Sequence, residues 1–123
     1  RGTQASARRG GYDLSMLDEL HPVVQWARRE LAPLLVERFH PRAAILFDPP
    51  DRPAAIGTNP PGLLLVAEAF RGVPVRERNA LLRAALAAVS PVRPLCLTPE
   101  EFAVMEQAPG PVVAAARGGV RIV

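Results

Sequence analysis

The residues able to do chemistry sit in the middle of the chain. Asp48 and Asp51 are carboxylates three positions apart, and Arg52, Arg71 and Arg93 follow them. Paired carboxylates suit Mg2+, which takes hard oxygen ligands in near-octahedral geometry. Clustered guanidiniums suit phosphates and carboxylates. Prolines stand between the two acids, in Asp48-Pro49-Pro50-Asp51, and make solvated loop or turn acids the plainer reading. No metal or other cofactor is therefore expected; Mg2+ enters only if a site is rebuilt around Asp48 and Asp51, with Glu68 as a further oxygen donor. Arg52, Arg71 and Arg93 form the candidate anion-binding set, weighed against ordinary solvated or ion-paired arginines.

Other groups offer less. His21 and His40 fall at opposite ends of the first helical stretch and cannot share a metal. Cys96 is the single cysteine, which excludes an intramolecular disulfide and a cysteine-cluster metal site. It lies in the apolar run Leu95-Cys96-Leu97 and reads as a buried, inert thiol. Ser6, Ser15 and Ser90 stand in cap or tail contexts without a nucleophile elbow. There is no glycine-rich phosphate loop of P-loop or Rossmann type.

The elements that must position these groups follow from periodicity. Residues 1–14 carry Arg1, Arg8 and Arg9 without an apolar period, and are expected to be a disordered basic tail ahead of one domain spanning 15–123. From Ser15, a capping residue, Leu17, Leu20, Val24, Ala27, Leu31, Leu34 and Leu35 step by three or four, predicting an amphipathic helix. Pro22 suits a first helical position, and Pro33 should kink the helix. Trp26 reads as core edge or subunit contact. Ala43–Phe47 and Leu63–Val66 are apolar runs of strand length, the second continuing through Glu68, Ala69 and Phe70. The proline-rich segment from Asp48 to Gly62 links them as a long loop.

Arg71-Gly72-Val73-Pro74 is a turn. A second helix follows, with Leu81, Leu82, Ala85, Leu86 and Val89 inside and Arg76, Glu77, Arg78 and Arg83 outside. Ser90-Pro91 closes it, and Arg93–Leu97 is a third strand. Thr98-Pro99-Glu100-Glu101 is a helix start with a capping box, and Phe102, Val104 and Met105 supply that helix's apolar side. Val112–Arg117 and Val120–Val123 complete the chain as a short helix and a strand. The expected fold is α/β (α+β): a mixed sheet of about four strands with helices packed on it.

Composition narrows the class. A chain of 123 residues with 49% hydrophobic residues can build one core. No apolar run approaches the roughly 20 residues of a membrane span. All fifteen basic residues are arginine and the net charge is +3, spread along the chain, so nucleic acid is permitted as a partner but not required. A cytoplasmic domain is expected.

The order of elements, "ILF" before a loop and "LLLV" after it, "TPEEF" following the third strand and a closing Gly119-Val120-Arg121-Ile122, resembles the minimal nucleotidyltransferase domain of the DNA polymerase beta superfamily over residues 17–123. In that family the first strand ends in Gly-Ser and the second opens with two metal-binding carboxylates. Here Asp48-Pro49 stands at the first position, and Pro60 and Gly62 at the second. Arg93 stands where the third acid belongs. The resemblance implies a nucleotidyltransferase-like frame without its two-metal chemistry. The expected function is thus a pseudo-enzyme working by protein contact, as a homo-oligomer or with a helical partner protein, in an antitoxin-like or regulatory role. The alternatives are a nucleic-acid-binding module using its arginines and an active metal-dependent nucleotidyltransferase with an atypical site.

Overall fold

The computed structural model describes residues 17–49, 60–87, 92–108 and 110–123. The expected tail at 1–14, the cap at Ser15 and the helix end at Val89 to Pro91 lie outside the described residues.

The first helical rod starts later than the periodicity indicates. Helix α1 (Pro22–Trp26) is capped by His21, whose Nδ1 accepts the Val23 N–H at 3.1 Å, with Pro22 in the first helical turn. Leu20 lies before this cap, in a turn held by Asp18, and is 83% exposed rather than buried. A π-helical segment (Ala27–Leu31) follows, and α2 (Ala32–Phe39) completes the rod. Pro33 has no N–H to give to the Arg29 carbonyl, and its ring crowds that carbonyl. The chain absorbs the mismatch in a wide turn, with the Ala32 N–H bonded to the Ala27 carbonyl. His40 ends the rod in the left-handed region, at φ 47°, and its N–H returns to Val36.

Strands β1 (Ala43–Phe47), β2 (Gly62–Val66), β3 (Arg93–Leu97) and β4 (Val120–Arg121) form one mixed sheet in the order β3-β2-β1-β4. β1 is antiparallel to β2 and β4, and β2 is parallel to β3. β2 is buried along its whole length, as an inner strand covered on both faces must be. The pleat sorts its neighbours. Ala44, Leu46, Leu63, Leu65 and Cys96 join the core under the 22–39 rod, with Leu82 of α3 (Val75–Ala85) and its C-cap residue Leu86. Ile45, Phe47, Leu64, Val66 and Leu97 face the opposite layer, where Phe102 of α4 (Pro99–Gln107) and Ala116 of α5 (Pro111–Arg117) cover them. The expected mixed α/β fold is thus present as three layers, with helices on both faces of the sheet.

Several local expectations change. Glu68–Phe70 is a 3-10 turn, not a strand extension, and buries Phe70 completely. Arg78, expected outside, is 5% exposed, while Leu81, expected inside, is 51% exposed. Val104 and Met105 of α4 are exposed, and only Phe102 packs on the sheet. Gly119 allows the last turn to reach β1: a Cβ there would lie 2.2 Å from the Leu46 carbonyl oxygen. Among the described residues no helix is long and apolar enough to cross a membrane.

Both sheet edges are closed. The Arg93 N–H bonds Pro61 and the Leu97 carbonyl accepts from Ala67, so Arg93, Leu95 and Leu97 turn their main chain toward β2. Pro94 and Cys96 face outward. Pro94 has no N–H, and the Cys96 carbonyl accepts from Arg78 Nη1 at 3.1 Å. On β4 the Arg121 carbonyl accepts from Arg28 Nη2 at 2.8 Å. An incoming strand would have to displace an arginine at either edge.

Candidate functional site: a groove between α2 and α3

The register collects part of the predicted motif at one end of the sheet. Phe47 pairs with Gly62, and Gly62 with Arg93, so Asp48, Pro49, Pro60 and Arg93 cluster around that row. The Phe47 ring lies directly over Gly62: a Cβ at position 62 would meet ring carbons at 2.4 to 2.7 Å. A carboxylate at this position would need the space the ring fills. Asp51 and Arg52 lie outside the described residues. Among the described residues no group of three or more His, Cys, Asp or Glu side chains converges on a metal-sized space.

Arg71 is not part of this cluster. It follows the other end of β2, a strand length of roughly 15 Å from Arg93. Its Nε donates to Glu100 at 3.2 Å, its Nη2 pairs with the same carboxylate, and Glu68 lies 3.7 Å from Nη1. The hydrogen bonding that Arg71 donates to Glu100 raises the Arg71 pKa and lowers that of Glu100. Glu68 also holds Arg42 at 2.6 Å. The Arg71 guanidinium thus faces two carboxylates, and Arg71 and Arg93 do not form one anion site.

The sequence reading missed Arg78. This residue lies on the same face of α3 as Leu82 and Leu86, so a charge inside an apolar stripe was the available signal. Its Nε donates to the Val73 carbonyl at 2.7 Å and its Nη1 to the Cys96 carbonyl at 3.1 Å. The Glu101 carboxylate accepts from both terminal nitrogens, at 2.5 and 3.1 Å. Glu101 in turn closes the capping box, accepting the Thr98 N–H at 2.9 Å while Thr98 Oγ1 accepts the Glu101 N–H. The Arg78 hydrogen bond holds the Glu101 carboxyl below its ordinary pKa. One guanidinium therefore fastens α3, β3 and α4 together. Burial pushes the Cys96 thiol up to about 12, outweighing the opposing pull of Arg78 and Arg83. At neutral pH this sulfur is a thiol, not a nucleophilic thiolate.

The concave surface of interest lies elsewhere. Arg38 and Phe39 at the end of α2, Ala69 and Phe70 of the 3-10 turn, and Leu81 and Ala85 of α3 line a groove of about 260 Å³. Phe39 and Phe70 form its floor, with ring centroids 5.5 Å apart and planes tilted by 43°. Leu81 stands half exposed at its side, one turn before Ala85. Among the described residues the Arg38 side chain has no ion-pair or hydrogen-bond partner. The groove is apolar with a single cationic group on its rim, a surface suited to an aliphatic side chain rather than to bond-breaking chemistry. Periodicity could not reveal it, because Leu81 continues the apolar stripe of α3 and its exposure depends on how far α2 reaches.

No protein-family model matches the chain, and no curated protein matches it. Among solved structures the chain is similar to the BolA domain of SufE1 from Arabidopsis thaliana, at 20% identity and a TM-score of 0.48, over 59% of this chain and 92% of that one. No family model supports the nucleotidyltransferase resemblance, and that resemblance is corrected. The pseudo-enzyme reading of Asp48, Pro49, Pro60, Gly62 and Arg93 rested on that resemblance and falls with it.

Proposed function

We propose that the chain is a protein-docking domain that receives a helix of a partner in the groove between α2 and α3. The observation that carries this reading is the half-exposed Leu81 beside the Phe39–Phe70 floor, an apolar surface that no element of the described chain covers. Two features support a helix as the partner element. The closed edges of β3 and β4 disfavour strand addition, the other common mode of peptide capture. Leu81 and Ala85 lie one turn apart, the spacing that meshes with side chains four apart on a facing helix.

Photo-cross-linking tests the reading. A benzophenone side chain placed at Leu81 is expected to give a discrete protein adduct in cells expressing the full protein. The same group at Arg117, exposed on α5 in the opposite layer, should give none. No adduct at position 81, or equal adducts at both positions, would refute the docking role.

A further inference from the structure

Resting on the groove as a docking surface, we infer that its occupant is a second copy of this chain, packed through α3 about a twofold axis near Leu81. The face carries its own complement. Leu81 is a half-exposed apolar side chain, and the groove beside it is an apolar surface that can bury such a side chain. About 150 Å³ suffices to hold a benzene-sized group, so the 260 Å³ groove accommodates a leucine from a partner. A twofold operation exchanges knob and hole, so that both leucines are buried at once.

The charges match under the same operation. On α3, Glu77 lies one turn before Leu81, and Ala85, which lines the groove, one turn after it. Antiparallel stacking about Leu81 sets the second copy's Glu77 opposite Ala85, in the cavity that Arg38 also lines, within reach of that long side chain. Among the described residues neither the Arg38 nor the Glu77 side chain has an ion-pair or hydrogen-bond partner within the chain. Pairing across the axis would give each a partner, twice per dimer. Arg76 and Arg83 point to the opposite flank of α3 by helical periodicity, so the packing does not set like charges against each other. A different partner would have to supply a leucine, a carboxylate and a guanidinium in this arrangement; a second copy already does.

Sedimentation velocity of the full chain, from micromolar to near-millimolar concentration, tests the inference. A monomer–dimer equilibrium is expected, with a dissociation constant on the order of 10–100 µM for so small an apolar centre. Leu81→Glu should weaken it by about thirty-fold or more. Arg38→Glu and Glu77→Arg should each weaken it about ten-fold, and the double exchange Arg38→Glu/Glu77→Arg should restore most of the loss. That rescue cannot come from a fold defect, because each single variant introduces one unpaired surface charge and the double variant introduces two. A chain that stays monomeric throughout overturns the inference; if Leu81 still cross-links to a different protein, the docking role survives and only the occupant is wrong. A dimer unaffected by Leu81→Glu, or a double exchange no better than its parents, overturns it as well.

Discussion

Replacing Arg78 by methionine removes a buried guanidinium and keeps most of its stem in place. Three acceptors then lose donors. The Cys96 carbonyl belongs to a buried edge strand, and leaving it unpaired costs about 1–2 kcal/mol. The Val73 carbonyl, in a half-buried turn, adds about 1 kcal/mol. The Glu101 side chain is 40% exposed and rehydrates, so its lost ion pair is discounted to about 1 kcal/mol. The expected destabilisation is about 3–4 kcal/mol, at the lower edge of what breaking a buried ion pair costs. For a domain of this size that is roughly a third of the total stability. In urea unfolding followed by circular dichroism the midpoint should fall by about 2 M at unchanged slope. Arg78→Lys should recover only part of the loss, because an ammonium cannot reach Val73, Cys96 and Glu101 together. The double variant Arg78→Met/Glu101→Gln should cost less than the sum of its parents, since glutamine can still close the capping box. A loss below about 1 kcal/mol for Arg78→Met would refute the assignment of Arg78 as the tie between α3, β3 and α4.

Further outcomes follow from single features. The Glu101 pKa is lowered in the fold, so its contribution to stability is present above the ordinary value of 4.5 and is lost as pH falls through the folded value; unfolding measured between neutral and acid pH should show this loss in the wild type and a shallower one in Glu101→Gln. Cys96 should resist a thiol reagent at pH 8 in the folded protein and react fully once unfolded, because burial keeps it protonated up to about 12; prompt stoichiometric labelling of the native state would contradict its placement. Gly119→Ala should destabilise by about 2–3 kcal/mol in the same urea assay, because the Cβ collides with the main chain of β1 at Leu46. His40→Gly should stabilise by about 0.5–1 kcal/mol, since the left-handed cap at φ 47° favours glycine.

The local signals read from the sequence are those whose physics is local. Thr98, Pro99 and Glu101 specify a helix start through their own hydrogen bonds, and the capping box forms there. The run at Ala43–Phe47 becomes a strand with the expected ends, because apolar residues of strand length must be buried; Arg93–Leu97 does so as well, with Pro94 on the open side of an edge strand, where a missing N–H breaks no ladder bond. The inertness of Cys96 was legible from its neighbours Leu95 and Leu97. The family resemblance failed for the complementary reason. A helix, two apolar strands and a proline-rich loop are what any small layered α/β domain requires, so "ILF" and "LLLV" carry information about burial and little about ancestry.

What the tertiary structure alone decided are the properties of pairs far apart in the chain. Which strand lies at an edge determines that the Cys96 and Arg121 carbonyls need arginines, and the arginines come from positions 78 and 28. Arg78 is buried because β3 and the cap of α4 meet α3 at that point, which no helical wheel can show. Leu81 is exposed because the rod ends at Phe39 and leaves a groove where the stripe of α3 predicts a contact. Periodicity specifies which face of a helix is apolar; the lengths and crossing of neighbouring elements specify how much of that face is covered.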